Sequence, residues 1–217
     1  MKGISVLPWL LVAGMWGAAA WLWRSAPESM PVHWNLAGEP DRWGGRAEGL
    51  LGLPAILTVL LVGFQGIPRL DPGRNNWAQM RGAWSGFQVA FVLFMAGVYA
   101  AALGAFPMPE TLPWLLGGLF VALGAVMGKI RPNFFFGIRT PWTLTSKRAW
   151  TRTHRLGGFV FIAVGLVGIV AGLLVPPAAL IVDVGGILLG SAALAVYSWR
   201  VWLADPDRIE PAGTRPE

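Results

Sequence analysis

The sequence predicts an all-α polytopic membrane protein of six transmembrane helices with both termini cytoplasmic, and three observations predict it. The 217 residues are 55% hydrophobic and 13% charged, with a mean hydropathy of +0.56, where soluble domains carry roughly 25% charged residues. Six apolar runs, each near the length of about 20 residues needed to cross a hydrocarbon core, occupy most of the chain. Of the 17 Lys and Arg residues, fourteen fall on one side of these runs and three on the other.

The runs cover residues 4–23, 50–68, 83–106, 112–130, 156–176 and 178–203. The first has a basic start at Lys2 and small residues at Ala18, Ala19 and Ala20, as a cleaved signal peptide would. Its apolar stretch continues through Trp21, Leu22 and Trp23, which argues for a retained helix. Cytoplasmic loops collect the basic excess. One side holds Lys2, Arg69, Arg74, Arg81, Lys129, Arg131, Arg139, Lys147, Arg148, Arg152, Arg155, Arg200, Arg208 and Arg215. The other holds Arg24, Arg42 and Arg46. An even number of spans with both ends inside satisfies this count.

Four segments follow: 1–68, with the first two helices and an outer loop; 69–130, with a cytoplasmic loop and helices three and four; 131–203, with an inner basic loop and helices five and six; and a polar tail, 204–217. No large extramembrane domain fits. The net charge of +6 reflects loops held near anionic lipid, so no direct nucleic-acid partner is expected. Without cysteine, disulfides, thiolate metal sites and cysteine nucleophiles are excluded. No cofactor is predicted, and the oligomeric state is left open.

Glycine recurs at Gly158, Gly165 and Gly172, with Gly168 beside them, at Gly117, Gly124 and Gly128, and at Gly186 and Gly190. In lipid, small residues let helix backbones approach, so these are read as internal packing seams. Gln65, Gln88 and Ser85 are expected to hydrogen-bond between helices. Asp183, about two turns into the last run, is the intramembrane candidate. It serves either proton or ion coupling, or simply reaches interfacial water or a partner helix.

Between the first two runs, Met30, Val32, Trp34 and Leu36 alternate with His33 and Asn35, the period of an extended segment with one apolar face. Gly38, Pro40 and the pair Gly44-Gly45 supply turn chemistry. His33 with Glu39 and Asp41 makes His33 a metal-ligand candidate, incomplete because this side has no second histidine. A ligand or peptide contact and a purely structural loop are the other readings. On the inner side, Pro141 holds Thr140 extended, and Thr143, Thr145 and Ser146 are candidate caps for a helix from Lys147. That helix carries Trp150 and His154 on one face amid Arg148, Arg152 and Arg155, and reads as a surface helix for anionic lipid or for an anionic partner. The run Phe134-Phe135-Phe136 is expected to dip into the bundle or interface, with Asp71 as the counter-ion of Arg139.

The outer run Pro31-Val32-His33-Trp34-Asn35-Leu36-Ala37-Gly38-Glu39-Pro40-Asp41 resembles the uncharacterised domain that precedes the core of the SdpI family. The inner run Asn133-Phe134-Phe135-Phe136-Gly137-Ile138-Arg139-Thr140-Pro141-Trp142-Thr143, with Trp150, His154 and Gly157, resembles that core. The resemblance implies a bacterial cytoplasmic-membrane protein of the kind that gives immunity to the sporulation-delaying toxin, a membrane-active peptide. It also implies a cytoplasmic transcriptional repressor as partner, since the characterised system recruits one to the membrane. On this reading the chain is not an enzyme. Outer contacts would come from His33, Trp34, Asn35, Gly38 and Asp41. Inner contacts would come from Asn133, Gly137, Arg139, Thr140, Trp142, Trp150, His154 and Arg155. The alternative is a small transporter or membrane enzyme working through Asp183, His33 or Arg139.

Overall fold

A computed structural model describes residues 5–35 and 38–209. The expectations placed on Lys2, Ile4, Leu36, Ala37, Arg215 and the end of the tail lie outside the described residues. Helix α1 (Val6–Leu22) leads into a hairpin, β1 (Ser29–Trp34) and β2 (Pro40–Gly45). Then come α2 (Arg46–Leu70), a 3-10 turn (Arg74–Asn76), α3 (Arg81–Ala102), α4 (Met108–Met127), α5 (Pro141–Leu144), α6 (Lys147–Leu174) and α7 (Pro176–Leu203). The hairpin adds a small antiparallel sheet to an otherwise helical chain: the extended alternation forms β1, while Pro40 and the glycine pair, expected as turn residues, lie in the second strand.

Helices α2, α3, α4, α6 and α7 are long and apolar enough to cross a membrane. Helix α1 is apolar but its 17 residues rise only about 25 Å. Helix α2 begins at Arg46, ahead of the apolar run, because Gly45 ends the strand in an extended conformation and Glu48 suits the positive end of the helix dipole. Helix α6 begins at Lys147, where the Ser146 hydroxyl caps it by accepting from the Ala149 amide at 2.8 Å. The expected surface helix and fifth span are therefore one helix of 28 residues, about 42 Å long. Trp150, Thr153 and His154 turn inward and are buried, while Lys147, Arg148, Arg152 and Arg155 stay exposed. The surface-helix expectation is corrected accordingly: only its basic face is a surface.

Helix α4 packs against α3 and α6, α6 against α7, and α1 against α2 and α3. Glycine makes the α4–α6 seam. A Cβ on Gly124 would stand 2.6 Å from the Gly158 carbonyl oxygen, and one on Gly117 would stand 2.7 Å from that of Gly165. At α6–α7, Cβ atoms on Gly190 and Gly186 would meet Val160 and Val164. Gly172 faces the Trp114 indole, whereas Gly128 has open space around it and belongs to no seam. Interhelix hydrogen bonds join α2 to its neighbours, among them the Trp16 indole to Thr58 at 3.1 Å and the Tyr99 hydroxyl to the Leu50 carbonyl at 2.9 Å. Gln88 is buried, but Gln65 buries its amide nitrogen without a hydrogen-bond partner among the described residues, contrary to its expected role. Leu and Val side chains such as Val59, Leu173, Leu188 and Leu189 cover the outer faces, which suits hydrocarbon and would be unstable in water.

Candidate functional site

At one pole of the bundle the hairpin pairs Ser29 with Gly45, Pro31 with Trp43, His33 with Arg42 and Trp34 with Pro40. The register shifts on either side of His33, so strict alternation fails there and the strand bends. His33 Nδ1 lies 2.5 Å from Asp41 Oδ1, which leaves Nε2 as the ring's outward nitrogen. The turn is held by Asn35: its amide donates to the Glu39 carbonyl, its carbonyl accepts from Gly38, and its side-chain oxygen accepts from the Glu39 amide. Gly38 has φ +78°, and a Cβ there would lie 2.5 Å from Pro109 Cγ. Glycine is thus required twice, for the turn and for seating the tip on the start of α4.

This seating encloses a half-open groove of about 920 Å³ between the hairpin and the ends of α4 and α7. His33, Trp34, Asn35 and Gly38 form one wall; Leu112 and Pro113 of α4 and Pro176 and Leu180 of α7 lie among the residues opposite. Four of the five outer residues singled out from sequence therefore converge on one cavity. Asp41 instead holds His33 from behind. Such a volume, mostly apolar with a few polar groups, suits a peptide segment or small ligand. Among the described residues no three of His, Asp and Glu cluster as metal ligands. Glu39 turns to Asn35 and Arg42 pairs with Glu48 at 2.7 Å.

At the opposite pole the inner run is a tightly bonded plug. The Asn133 side chain donates to the carbonyls of Arg131 and Phe136 and accepts from the amides of Phe135 and Phe136. Gly137, at φ +108°, lets the chain pass over His154. The Ile138 amide donates to His154 Nε2 at 2.9 Å, and His154 Nδ1 meets the Trp150 carbonyl at 2.8 Å. An acceptor Nε2 and a donor Nδ1 define a neutral imidazole. It stacks on the Trp150 indole, whose N–H donates to the Ile130 carbonyl. Thr140, extended before Pro141, closes a capping box with Thr143 and bonds Ser198 of α7 at 2.9 Å. Trp142 is half-buried and Arg155 exposed.

The expected Asp71–Arg139 pair is corrected here. Asp71, fully buried, accepts from the Gly73 amide at 2.6 Å, the Trp77 indole at 3.0 Å and the Phe134 amide at 3.1 Å. The exposed Arg139 donates to the Phe134 carbonyl. The two charges grip opposite sides of Phe134 and meet only through its backbone. Of the three phenylalanines, Phe136 alone packs inward, on Trp84 and Phe87, while Phe134 and Phe135 remain exposed.

A further tie was not foreseen. Asp205 accepts from the Ser146 hydroxyl, and Arg148 donates to the Ala204 carbonyl at 3.1 Å. The Ser146 hydrogen bond, together with the Asp207 amide and the charges of Arg148 and Arg208, holds the Asp205 carboxyl below the usual range against the effect of burial. Also unforeseen were the α4 and α7 walls of the groove, whose signal in the sequence was proline at both helix starts, Pro109 and Pro176.

Asp183 is wholly buried, and neither carboxylate oxygen has a hydrogen-bond partner among the described residues. It presses on Gly168, where any Cβ would overlap its carboxyl group. His33, Asp183 and Arg139 do not form one site: His33 lines the groove, Asp183 lies within α7, and Arg139 belongs to the opposite pole.

Residues 129–202 match the SdpI/YfhL protein family, and residues 10–58 match a domain of unknown function, DUF1648. An uncharacterized protein of Archaeoglobus fulgidus is 36% identical over 58 residues, 27% of this chain and 31% of that relative. The chain thus spans less than a third of the curated relative it matches. No solved structure matches it.

Proposed function

We propose, for a chain whose C-terminal part belongs to the SdpI/YfhL family, a non-enzymatic receptor or immunity role in the bacterial cytoplasmic membrane. In this reading α1 completes six spans, the hairpin faces outward, and the termini and the plug face the cytoplasm, an orientation supported by the distribution of basic residues. The groove takes part of a membrane-active peptide, which is thereby kept from the bilayer. The exposed basic face of Lys147, Arg148, Arg152 and Arg155 contacts anionic lipid or a cytoplasmic partner such as a repressor. The observation that carries the reading is the convergence of His33, Trp34, Asn35 and Gly38 on one groove.

Expression of the chain in a toxin-sensitive bacterial host is expected to raise survival against the sporulation-delaying toxin. His33→Ala and Trp34→Ala are expected to lose protection while reaching the membrane in normal amount. Equal killing of cells with and without the chain would remove the immunity reading. A second reading, a small transporter, draws on the buried Asp183 carboxyl, and solute flux in proteoliposomes that Asp183→Asn abolishes is its test.

A further inference from the structure

We infer that Asp183 is the counter-ion for a basic group on the ligand of the groove, so that this ligand is an apolar peptide bearing an ammonium group. The inference rests on the groove reading above. Pro176, Leu180 and Asp183 stand at positions i, i+4 and i+7 of α7 and share one helix face. The first two line the groove. Asp183 follows Leu180 by one turn, about 4.5 Å of helix rise. The α7 face that lines the groove thus continues inward for one turn to the carboxyl group, which is not itself part of the lining and packs on Gly168 of α6.

That carboxyl has no counterpart among the described residues. Both oxygens are buried without a hydrogen-bond partner among the described residues, a costly state for a charged group in an apolar surrounding. Helix α4 contains no Lys or Arg, nor does α6 beyond Arg155, nor α7 ahead of Arg200. Gly168 gives the carboxyl its space and offers no side chain to bond it. Acidic residues adjoin the lining segments in sequence: Glu39 and Asp41 on the hairpin and Glu110 in the first turn of α4. Arg42 on β2 is engaged by Glu48.

The missing partner is thus cationic, and two features set its kind. A divalent metal needs several ligands, and among the described residues no second Asp, Glu or His joins Asp183 in such a group. An ammonium needs only acceptors, has three donors for two carboxylate oxygens, and can be carried on an apolar chain. Leucine- and proline-lined walls favour that apolar chain. The ammonium can be a peptide N-terminus or a lysine side chain.

The test uses the full chain in nanodiscs and titration calorimetry with three leucine-rich, C-terminally amidated peptides: one with a free N-terminal amine, its acetylated twin, and an acetylated twin with one internal lysine. Acetylation is expected to weaken binding to the wild type by at least about tenfold. Recovery with the lysine peptide identifies a side-chain ammonium, and its absence identifies the N-terminus. Asp183→Asn is expected to bind the amine and acetylated peptides equally. Wild-type binding indifferent to both amine and lysine overturns the inference without any variant. So does an Asp183→Asn protein that keeps the preference for the charged peptide. If no peptide binds the wild type, the groove reading falls and this inference with it; binding that Trp34→Ala abolishes but charge leaves unchanged removes the inference alone.

Discussion

Replacing Asp71 tests whether the plug is held by an ion pair or by a carboxylate anchored on backbone and indole donors. Its Oδ1 accepts from Gly73, and its Oδ2 from Trp77 and Phe134, at 2.6 to 3.1 Å in a fully buried position. Hydrogen bonds to a charged acceptor contribute about 1.5–3 kcal/mol each, and a buried donor left bare costs about 1–3 kcal/mol. Asn can present one oxygen only, and its NH2 group then opposes at least one of the three donors. Asp71→Asn is therefore expected to cost roughly 2–4 kcal/mol, and Asp71→Ala somewhat more. Arg139 is exposed and bonds a single carbonyl, so Arg139→Gln should cost no more than about 1 kcal/mol. The assay is unfolding in detergent, followed by tryptophan fluorescence, with the double variant completing a cycle. Near-additive losses and no rescue by the charge-swapped pair are expected. Equal single losses with a double variant no worse than either would mean that the two side chains pair directly, and the backbone account would fail.

The glycine seam makes a steric prediction: Gly124→Val would drive its side chain into the Gly158 carbonyl and into Ile162, 2.7 Å away at Cγ1. A loss of about 1–3 kcal/mol is expected in the same unfolding assay, whereas Gly128→Val, which meets nothing within 4 Å, should be near neutral. The Ser146–Asp205 tie makes a pH prediction. The folded-state pKa of Asp205 lies below its unfolded value, chiefly through the Ser146 hydrogen bond. Its stabilisation is thus present above the unfolded pKa and is lost as pH falls through the folded one. Ser146→Ala should raise the pH at which acid unfolding begins, and an unchanged acid limb would show that the bond contributes nothing.

Much of this molecule was decided by sequence alone, because the bilayer imposes constraints that act on each segment separately. A segment about 20 residues long and apolar must be a helix to satisfy its own backbone, so the six helical runs and their glycine faces could be read without neighbours. The hairpin's extended first strand and its turn at Gly38 were legible for the same local reason, and so was the Ser146 cap. The tertiary structure decided which way each side chain faced and which distant segments met. Trp150 and His154 lie on a basic helix, yet they point inward, because Gly137 leaves room for the Ile138 amide to reach the imidazole. Asp71 and Arg139 looked like an ion pair, but buried amide and indole donors nearby took the carboxylate first. The groove too is a tertiary feature: one wall is four residues of the hairpin, while its other side comes from two helix starts far along the chain. Sequence periodicity can place residues on a face, but a cavity exists only where faces from separate elements fail to close, and that depends on packing.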